Sequence, residues 1–135
     1  MTTEKPASLM RLYEKTAIIT GEGGNVVIVD VDGTGGGGTL EAVKAAGGDG
    51  YFVRADVSKE RDAERIAEEA VNAFGGIDIL FNNAAVSSFK TVVEVDEAEI
   101  DRVMNVNVKG AFFCSKAVIP HLHRAGSGSI INTSS

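Results

Sequence analysis

Apolar residues occur along this chain in five short, nearly continuous runs that are bounded by glycine or polar residues. Most of these runs are rich in β-branched residues, which is typical of strands covered on both faces, as in parallel sheets. We therefore predict strands at 16–20, 25–32, 51–55, 77–81 and 129–133.

Between these strands the apolar spacing changes to that of amphipathic helices. Gly47-Gly48 and Gly75-Gly76 each follow a helical pattern, as helix-ending glycines do, and Asp96 with Glu99 forms a capping box. We predict a loop at 33–38 and three helices: 39–46, a second from the N-cap Ser58 to Phe74, and a third from Asp96 toward His123 with Pro120 at its bend or end.

Strands that alternate with helices and glycine-rich turns predict an α/β fold with a doubly wound, mostly parallel, Rossmann-like sheet. The length of 135 residues suits a single domain, 1–135, and residues 1–9 are expected to form a flexible tail. Because segments of the usual pattern are missing, we expect the sheet to be incomplete.

Charge and cysteine content narrow the classes of partner. The formal net charge is −6, and nucleic-acid binding depends on clustered Lys and Arg, so no nucleic-acid partner is expected. No apolar run approaches the ~20 residues that span a bilayer, so no membrane partner is expected either. The single cysteine, Cys114, allows no internal disulfide, and we see no signal peptide, which together favour a cytoplasmic location.

Three segments, taken in order, carry a resemblance to a known family. They are Asn82-Asn83-Ala84-Ala85 after a strand, Met104-Asn105-Val106-Asn107-Val108-Lys109-Gly110 within a helix, and the last strand from Ser129 to Ser135. From about Leu12 onward the chain resembles the short-chain dehydrogenase/reductase family. This resemblance implies an NAD(P)-dependent oxidoreductase that interconverts a small-molecule alcohol and a ketone by hydride transfer.

The resemblance also implies roles for individual residues. Asn107 corresponds to the residue that holds a water in the proton relay, and Ser135 to the serine that orients the substrate. Cofactor contacts are implied for Gly21, the remnant of the phosphate turn, for the adenine-contacting pair Asp56 and Val57, and for Asn82 and Ala84.

Asp30 is assigned on chemical grounds, because ligands of doubly wound sheets bind at the carboxyl ends of strands. Its carboxylate could accept hydrogen bonds from the adenosine ribose, and it would repel the extra phosphate of NADP, so NAD is expected rather than NADP. Two alternatives remain open: Asp30 as a solvated strand-end carboxylate, and Asp56 as a turn residue that caps the next helix.

Two parts of the family pattern are missing. Thr20-Gly21 is followed at once by Glu22-Gly23-Gly24 and the second strand, without the phosphate-binding loop and most of the first helix. Because parallel strands need a crossover of about a dozen residues, the first two strands should form an antiparallel hairpin or separate. The family's Tyr-x-x-x-Lys base is also missing, since an alanine follows Tyr13 and Tyr51 at that spacing. We therefore expect this chain to be incomplete for catalysis.

Three other functions compete with this interpretation. Gly33-Thr34-Gly35-Gly36-Gly37-Gly38 satisfies G-x-G-x-x-G and could act as a substitute dinucleotide loop. Asp30 and Asp32 lie in a sequence that looks like the nucleophile motif of haloacid-dehalogenase-type phosphatases. The third alternative is a non-catalytic remnant that only binds or oligomerises.

The long third helix has a further role in the family, where it packs against its counterpart in a neighbouring subunit. Ala111, Phe112, Ala117 and Val118 could provide such a surface for a homo-oligomer. Cys114, on the same helix, is expected to be a packing residue. His121 and His123 lack a third ligand in the sequence, so no metal site is expected.

Overall fold

The computed structural model describes residues 16–20 and 24–134, and the tail expected at residues 1–9 lies outside this part of the chain. The strands are β1 Thr16–Thr20, β2 Asn25–Asp30, β3 Gly50–Arg54, β4 Ile79–Asn82 and β5 Ser129–Asn132. The helices are α1 Gly33–Ala45, α2 Glu60–Phe74, α3 Glu97–Met104 and α4 Gly110–Ala125, with a π-helical segment, Asn105–Lys109, joining α3 to α4.

The five strands form one sheet in the order β3-β2-β1-β4-β5, which is the order of a doubly wound fold. β2 pairs with β3 and β4 with β5 in parallel, whereas β1 is antiparallel to both β2 and β4. Four strands therefore point the same way and β1 alone is reversed. The expectation of an α/β, mostly parallel sheet is confirmed.

The reversal of β1 follows from the length of its connection to β2. Thr20 pairs with Asn25 and Thr16 with Val29, so only residues 21–24 join the two strands. Four residues suffice for a hairpin but not for the crossover that parallel neighbours require. Of the two arrangements expected from the sequence, the structure has the antiparallel hairpin.

Helices cover both faces of the sheet. α2 and α4 pack on one face, where alternate strand residues such as Val27 and Val29 point. Ile28 points to the opposite face, beside its register partner Phe52 and under α1. The core on the first face contains Ile18, Val27, Val29, Val53, Ala55, Val57, Ala63, Ile66, Ala67, Ala70, Ile77, Leu80, Cys114 and Val118.

The predicted loop at 33–38 is wrong, because α1 begins at Gly33 and contains the whole glycine run. Asp32 is the N-cap, and its carboxylate accepts hydrogen bonds from the N–H groups of Thr34 and Gly35. Gly36 lies so close to the sheet that a Cβ there would be 1.8 Å from Cε2 of Phe52. The cap and the packing on β3 together offset the low helix propensity of glycine.

Several predicted boundaries also shift. α2 begins at Glu60, with Lys59 rather than Ser58 at the N-cap position. Pro120 lies inside α4, which continues to Ala125. Strand β2 ends at Asp30 and strand β4 at Asn82.

No helix in the described part of the chain is long and apolar enough to cross a membrane.

Candidate functional site

The carboxyl ends of four strands meet at one edge of the sheet, which we call the carboxyl edge. β2 ends there with Asp30, β4 with Asn82 and β5 with Asn132. Because β1 is reversed, it contributes its first residue, Thr16, to this edge. Thr20 pairs with Asn25 at the opposite edge, and Gly21, which follows it, lies outside the described residues.

A pocket of about 220 Å³ opens at the carboxyl edge beside the ends of β4 and β5. Among the described residues that line it, none carries a charge; they are Val57, Asn82, Asn83, Ala84, Ala85, Asn107, Gly110, Ala111, Asn132, Thr133 and Ser134. Val57, Asn82, Ala84 and Asn107, which the sequence had singled out, thus lie together. The polar side chains that line the pocket carry only amide and hydroxyl groups.

Asn82 ties three elements together at the floor of this pocket. It is 8% exposed, and its Nδ2 donates to Oδ1 of Asn132 at 3.0 Å, to Oγ of Ser115 at 3.1 Å and to the carbonyl of Ala111 at 3.4 Å. Its Oδ1 is buried and has no hydrogen-bond partner within the described part of the chain. A buried acceptor without a partner costs free energy, so this oxygen is suited to receive a donor from a ligand or a water molecule.

The residues after Asn82 and Asn132 continue this connection. The N–H of Thr133 donates to the carbonyl of Asn82 at 3.1 Å, and Oγ1 of Thr133 donates to Oδ1 of Asn83 at 2.8 Å. Ser134 then lines the pocket, whereas Ser135 lies outside the described residues. The end of β5 is therefore held in place by the asparagine pair that ends β4.

The side-chain amide of Asn107 makes a two-point contact with the main chain of Val86. The N–H of Val86 donates to Oδ1 of Asn107, and Nδ2 of Asn107 donates to the carbonyl of Val86, both at 2.8 Å. This contact joins the π-helical segment to the loop that leaves β4. The second N–H of Nδ2 and the second lone pair of Oδ1 are not used by this contact.

The same loop is anchored to α3 by Arg102, whose Nη2 donates to the carbonyl of Ser87 at 2.9 Å. Arg102 also bonds Glu99 through two nitrogens, and this contact, with a hydrogen bond from Ser88, lowers the pKa of the Glu99 carboxyl to about 2. The loop that forms one wall of the pocket is thus fixed at both Val86 and Ser87.

Asp56 lies in the turn after β3, where it acts as a turn-forming residue. One carboxylate oxygen, Oδ1, accepts from the N–H of Ser58 at 3.0 Å and from its Oγ at 2.6 Å. The N–H of Asp56 donates to Asp62 at 2.8 Å. The turn part of this alternative is thus present, whereas α2 has Lys59 at its N-cap position and no side-chain cap hydrogen bond. Val57, which follows, is buried against Gly110 at the pocket.

Asp30 and Asp32 lie together at the start of α1. The N–H of Asp32 donates to Oδ1 of Asp30 at 3.1 Å, and a Cβ on Gly35 would meet a carboxylate oxygen of each at 3.2 Å. Since Asp32 already accepts from the first N–H groups of α1, an anion approaching this helix end would meet two carboxylates. The geometry gives no support to the glycine run as a substitute phosphate loop.

The remaining candidates from the sequence have structural explanations. Burial raises the pKa of the Cys114 thiol to about 12, as expected for a packing residue. Desolvation lowers the pKa of His121. Within residues 16–20 and 24–134, no group of three His, Cys, Asp or Glu side chains could hold a metal ion.

The helix surface proposed for oligomerisation needs correction. Val118 is 1% exposed and belongs to the core of this chain, so it cannot contact another subunit. Ala117 also packs against that core. The exposed apolar residues of the continuous helical run are Ile100, Met104, Val108, Phe112 and Ile119.

Sequence reasoning missed Asn132, Thr133 and Ser134 as pocket residues. A signal was present, because β4 and β5 both end in Asn and parallel neighbours bring their ends together. Which residues face each other depends on strand register, however, and the register of β4 and β5 could not be read from either strand alone.

Comparison with known proteins gives consistent matches. A family model described as short chain dehydrogenase matches residues 15–135. An uncharacterized oxidoreductase of Thermotoga maritima is 39% identical over 123 residues, which are 90% of this chain and 48% of the relative. A 3-oxoacyl-[acyl-carrier-protein] reductase of Staphylococcus epidermidis is 35% identical over 96 residues, 71% of this chain and 39% of the relative.

Solved structures show the same similarity. NAD⁺-bound xylitol dehydrogenase superposes with a TM-score of 0.81 at 30% identity, over 96% of this chain and 47% of the other. The chain thus spans about half, or less, of the length of these proteins. None of them is a phosphatase, so the phosphatase alternative at Asp30 and Asp32 is not supported.

Proposed function

Because this chain belongs to the short-chain dehydrogenase family, we propose that the protein is an NAD(P)-dependent oxidoreductase that interconverts an alcohol and a ketone. One observation carries the proposal: the uncharged pocket at the carboxyl edge brings together Asn82, Asn107 and the end of β5. These are the segments that the family resemblance associates with cofactor and substrate. The substrate would be a small molecule whose carbonyl or hydroxyl is oriented by Ser135.

The proposed cofactor contacts divide between the two nucleoside ends of NAD. Asp30 would accept hydrogen bonds from the adenosine ribose, and this carboxylate favours NAD over NADP. Asp56 and Val57 would contact adenine, with the second carboxylate oxygen of Asp56 as the acceptor. Asn82 and Ala84 would line the side of the cofactor nearest the substrate. Gly21 keeps only its proposed place in the remnant of the phosphate turn.

The proposed contacts account for these nucleoside ends but not for the pyrophosphate. In a doubly wound sheet, backbone N–H groups after the first strand receive the phosphates. Here the residue that ends β1, Thr20, lies at the opposite edge of the sheet. The pyrophosphate therefore has no backbone cradle among the described residues of the carboxyl edge.

No tyrosine or lysine is among the described residues that line the pocket, so the family's base for proton transfer is not found there. Tyr51 lies on β3, where it pairs with Val27 and is not among the pocket-lining residues, and Tyr13 lies outside the described residues. We propose that this chain binds and orients reactants but is incomplete for catalysis.

The second candidate function, a non-catalytic remnant that binds or oligomerises, is favoured by the same lack of a proton-transferring base at the pocket. A cytoplasmic location remains part of the proposal.

Titration of the purified chain with NADH and NADPH tests the proposed function, with nicotinamide fluorescence and the amide resonances of Asn82, Asn107 and Thr133 as readouts. Saturable binding that shifts these resonances is expected. NADH binding should weaken in Asp30→Asn, whereas Asp101→Asn, the same change on the exposed face of α3, should have no effect. A folded chain in which neither cofactor shifts the pocket resonances would leave only the remnant function.

We also propose a homo-oligomer formed through the exposed residues of the long helical run, among them Met104, Val108 and Phe112. The start of this run is acidic, with Glu97, Glu99 and Asp101, whereas residues 103–125 contain Lys, His and Arg but no carboxylate. Two copies packed antiparallel would therefore have complementary charges. A dimeric mass by light scattering, lost in Phe112→Glu, is expected; a monomeric mass at working concentration counts against the proposal.

A further inference from the structure

The direction of β1 removes the usual phosphate site from the carboxyl edge. Thr20 pairs with Asn25, so the residue that ends β1 lies at the other end of β2 from Asp30. At about 3.3 Å per residue, the length of β2 separates the two ends by roughly 16 Å. The backbone N–H groups of Thr20 and Gly24 are therefore too far away to contact a ligand in the pocket.

The helix beginnings that remain near this edge do not replace the lost turn. At α1, Asp32 accepts from Thr34 and Gly35, and Asp30 lies beside it. At α2, the first turn contains Glu60 and Asp62. Both helix N-termini thus already carry carboxylates. These interact favourably with the positive end of the helix dipole but repel phosphate.

The two arginines near the end of β3 are committed to other groups. Arg65 forms ion pairs with Asp62 and Glu69 and donates to the carbonyl of Arg54. The guanidinium of Arg54 donates to the carbonyl of Val31. Neither arginine is among the residues that line the pocket.

The pocket itself has the size and chemistry of a site for an uncharged ligand. Its volume of about 220 Å³ is below the ~300–1,000 Å³ typical of pockets for drug-sized ligands, which excludes a whole dinucleotide from it. Ala84, Ala85 and Ala111 offer small apolar surfaces for a flat ring. Amide and hydroxyl groups of Asn132, Thr133 and Ser134 offer acceptors for sugar hydroxyls.

We propose that this pocket binds a nucleoside in preference to the corresponding nucleotide or dinucleotide, because it retains the polar and apolar surfaces for base and ribose without a cationic side chain for phosphate among the described residues that line it. The inference rests on the proposed function, in that it concerns the same pocket. The inference differs from the proposed function in the ligand. The family's cofactor is a dinucleotide, whereas the described residues of this pocket fit only a nucleoside part of that cofactor.

The test compares five ligands with the purified chain by calorimetry: adenosine, AMP, the reduced and uncharged form of nicotinamide riboside, the monophosphate of that reduced nucleoside, and NADH. At least one nucleoside is expected to bind about tenfold or more tightly than its own monophosphate and no less tightly than NADH. Binding tighter for NADH or for the monophosphates overturns the inference and leaves the proposed function standing. A folded chain that binds none of the five overturns both.

A pair of variants locates the binding. Ala84→Leu fills the pocket and should abolish nucleoside binding, while Ala73→Leu, the same change at an exposed position of α2, should leave it unchanged. Circular dichroism serves as the control that both variants are folded. Nucleoside binding that survives Ala84→Leu would place the site elsewhere and overturn the inference. Thr133→Val, which removes a pocket hydroxyl at nearly constant volume, is a milder variant and should weaken binding.

Discussion

Nδ2 of Asn82 donates a hydrogen bond of 3.0 Å to Oδ1 of Asn132 across the last register pair of β4 and β5. Fifty positions separate the two residues in the chain. Their contact brings the end of β5, and with it Ser134, against the loop that leaves β4. The proposed site therefore depends on the pairing of two short strands as much as on any single residue.

Replacing Asn82 by leucine should destabilise the chain. The substitution removes bonds to Asn132, Ser115 and Ala111 while keeping a similar volume, and we expect a loss of about 1–2 kcal/mol in the free energy of unfolding. Urea denaturation measures this loss. Asn72→Leu, at an exposed position of α2, is the control and should change stability by less than about 0.5 kcal/mol. Equal effects of the two variants would show that the contacts of Asn82 contribute nothing.

Asn107→Ala should also destabilise the chain, since it removes both hydrogen bonds to the main chain of Val86. We expect a cost of about 1–3 kcal/mol, measured by urea denaturation. Asn105→Ala lies in the same π-helical segment but removes no side-chain hydrogen bond that holds the loop. The prediction fails if Asn105→Ala is as destabilising as Asn107→Ala.

Two glycines of α1 should respond to alanine with opposite signs. Gly36→Ala places a Cβ 1.8 Å from Cε2 of Phe52, so α1 must move away from the sheet at a cost of about 1–3 kcal/mol. At Gly38 an added Cβ meets nothing within 4 Å, and alanine should stabilise the helix by about 0.5–1 kcal/mol. Thermal unfolding should show a lower midpoint temperature for Gly36→Ala and a higher one for Gly38→Ala. If both were stabilising, the close approach of α1 to Phe52 would be contradicted.

The pKa of Cys114 predicts a pH dependence of stability. Burial raises it from 9.0 to about 12 in the folded chain. Between pH 9 and 12 the unfolded state loses this proton while the folded state keeps it, so stability should fall as the pH rises through this range. Cys114→Ala should remove this part of the slope in denaturation curves measured at several pH values. Labelling with a thiol reagent should likewise be slow until the chain unfolds. Rapid labelling of the folded chain at pH 8 would contradict the prediction.

The sequence by itself determined most of the element types and limited β1 to two arrangements. Apolar runs and glycine stops act within a few residues, so they identified the strands, α2 and the long helical run without knowledge of the fold. The four residues at 21–24 allowed a hairpin but no crossover, which left only that arrangement or separation of the strands. The N-cap at Asp96 was correct for the same reason, because its carboxylate accepts from the N–H of Glu99, three residues away, although the carboxylate of Glu99 bonds Arg102 instead of completing the capping box.

The glycine run at 33–38 shows where local reasoning ends. Six residues with poor helix propensity predicted a loop, yet Asp32 caps them and Phe52 of β3 packs on Gly36. The energy that holds α1 comes from a strand further along the chain. Propensity alone contains no information about that strand.

Only the tertiary structure decided which side chains meet at the site. Asn107 is paired with Val86, Asn82 with Asn132 and Thr133 with Asn83, contacts across 21 to 50 positions of the chain. Each depends on strand register or on the path of a loop, and a shift of one residue would turn these side chains to the other face of the sheet. The motifs therefore identified the segments from the sequence, whereas the uncharged pocket and the position of Thr20 at the opposite edge of the sheet emerged from how those segments pack.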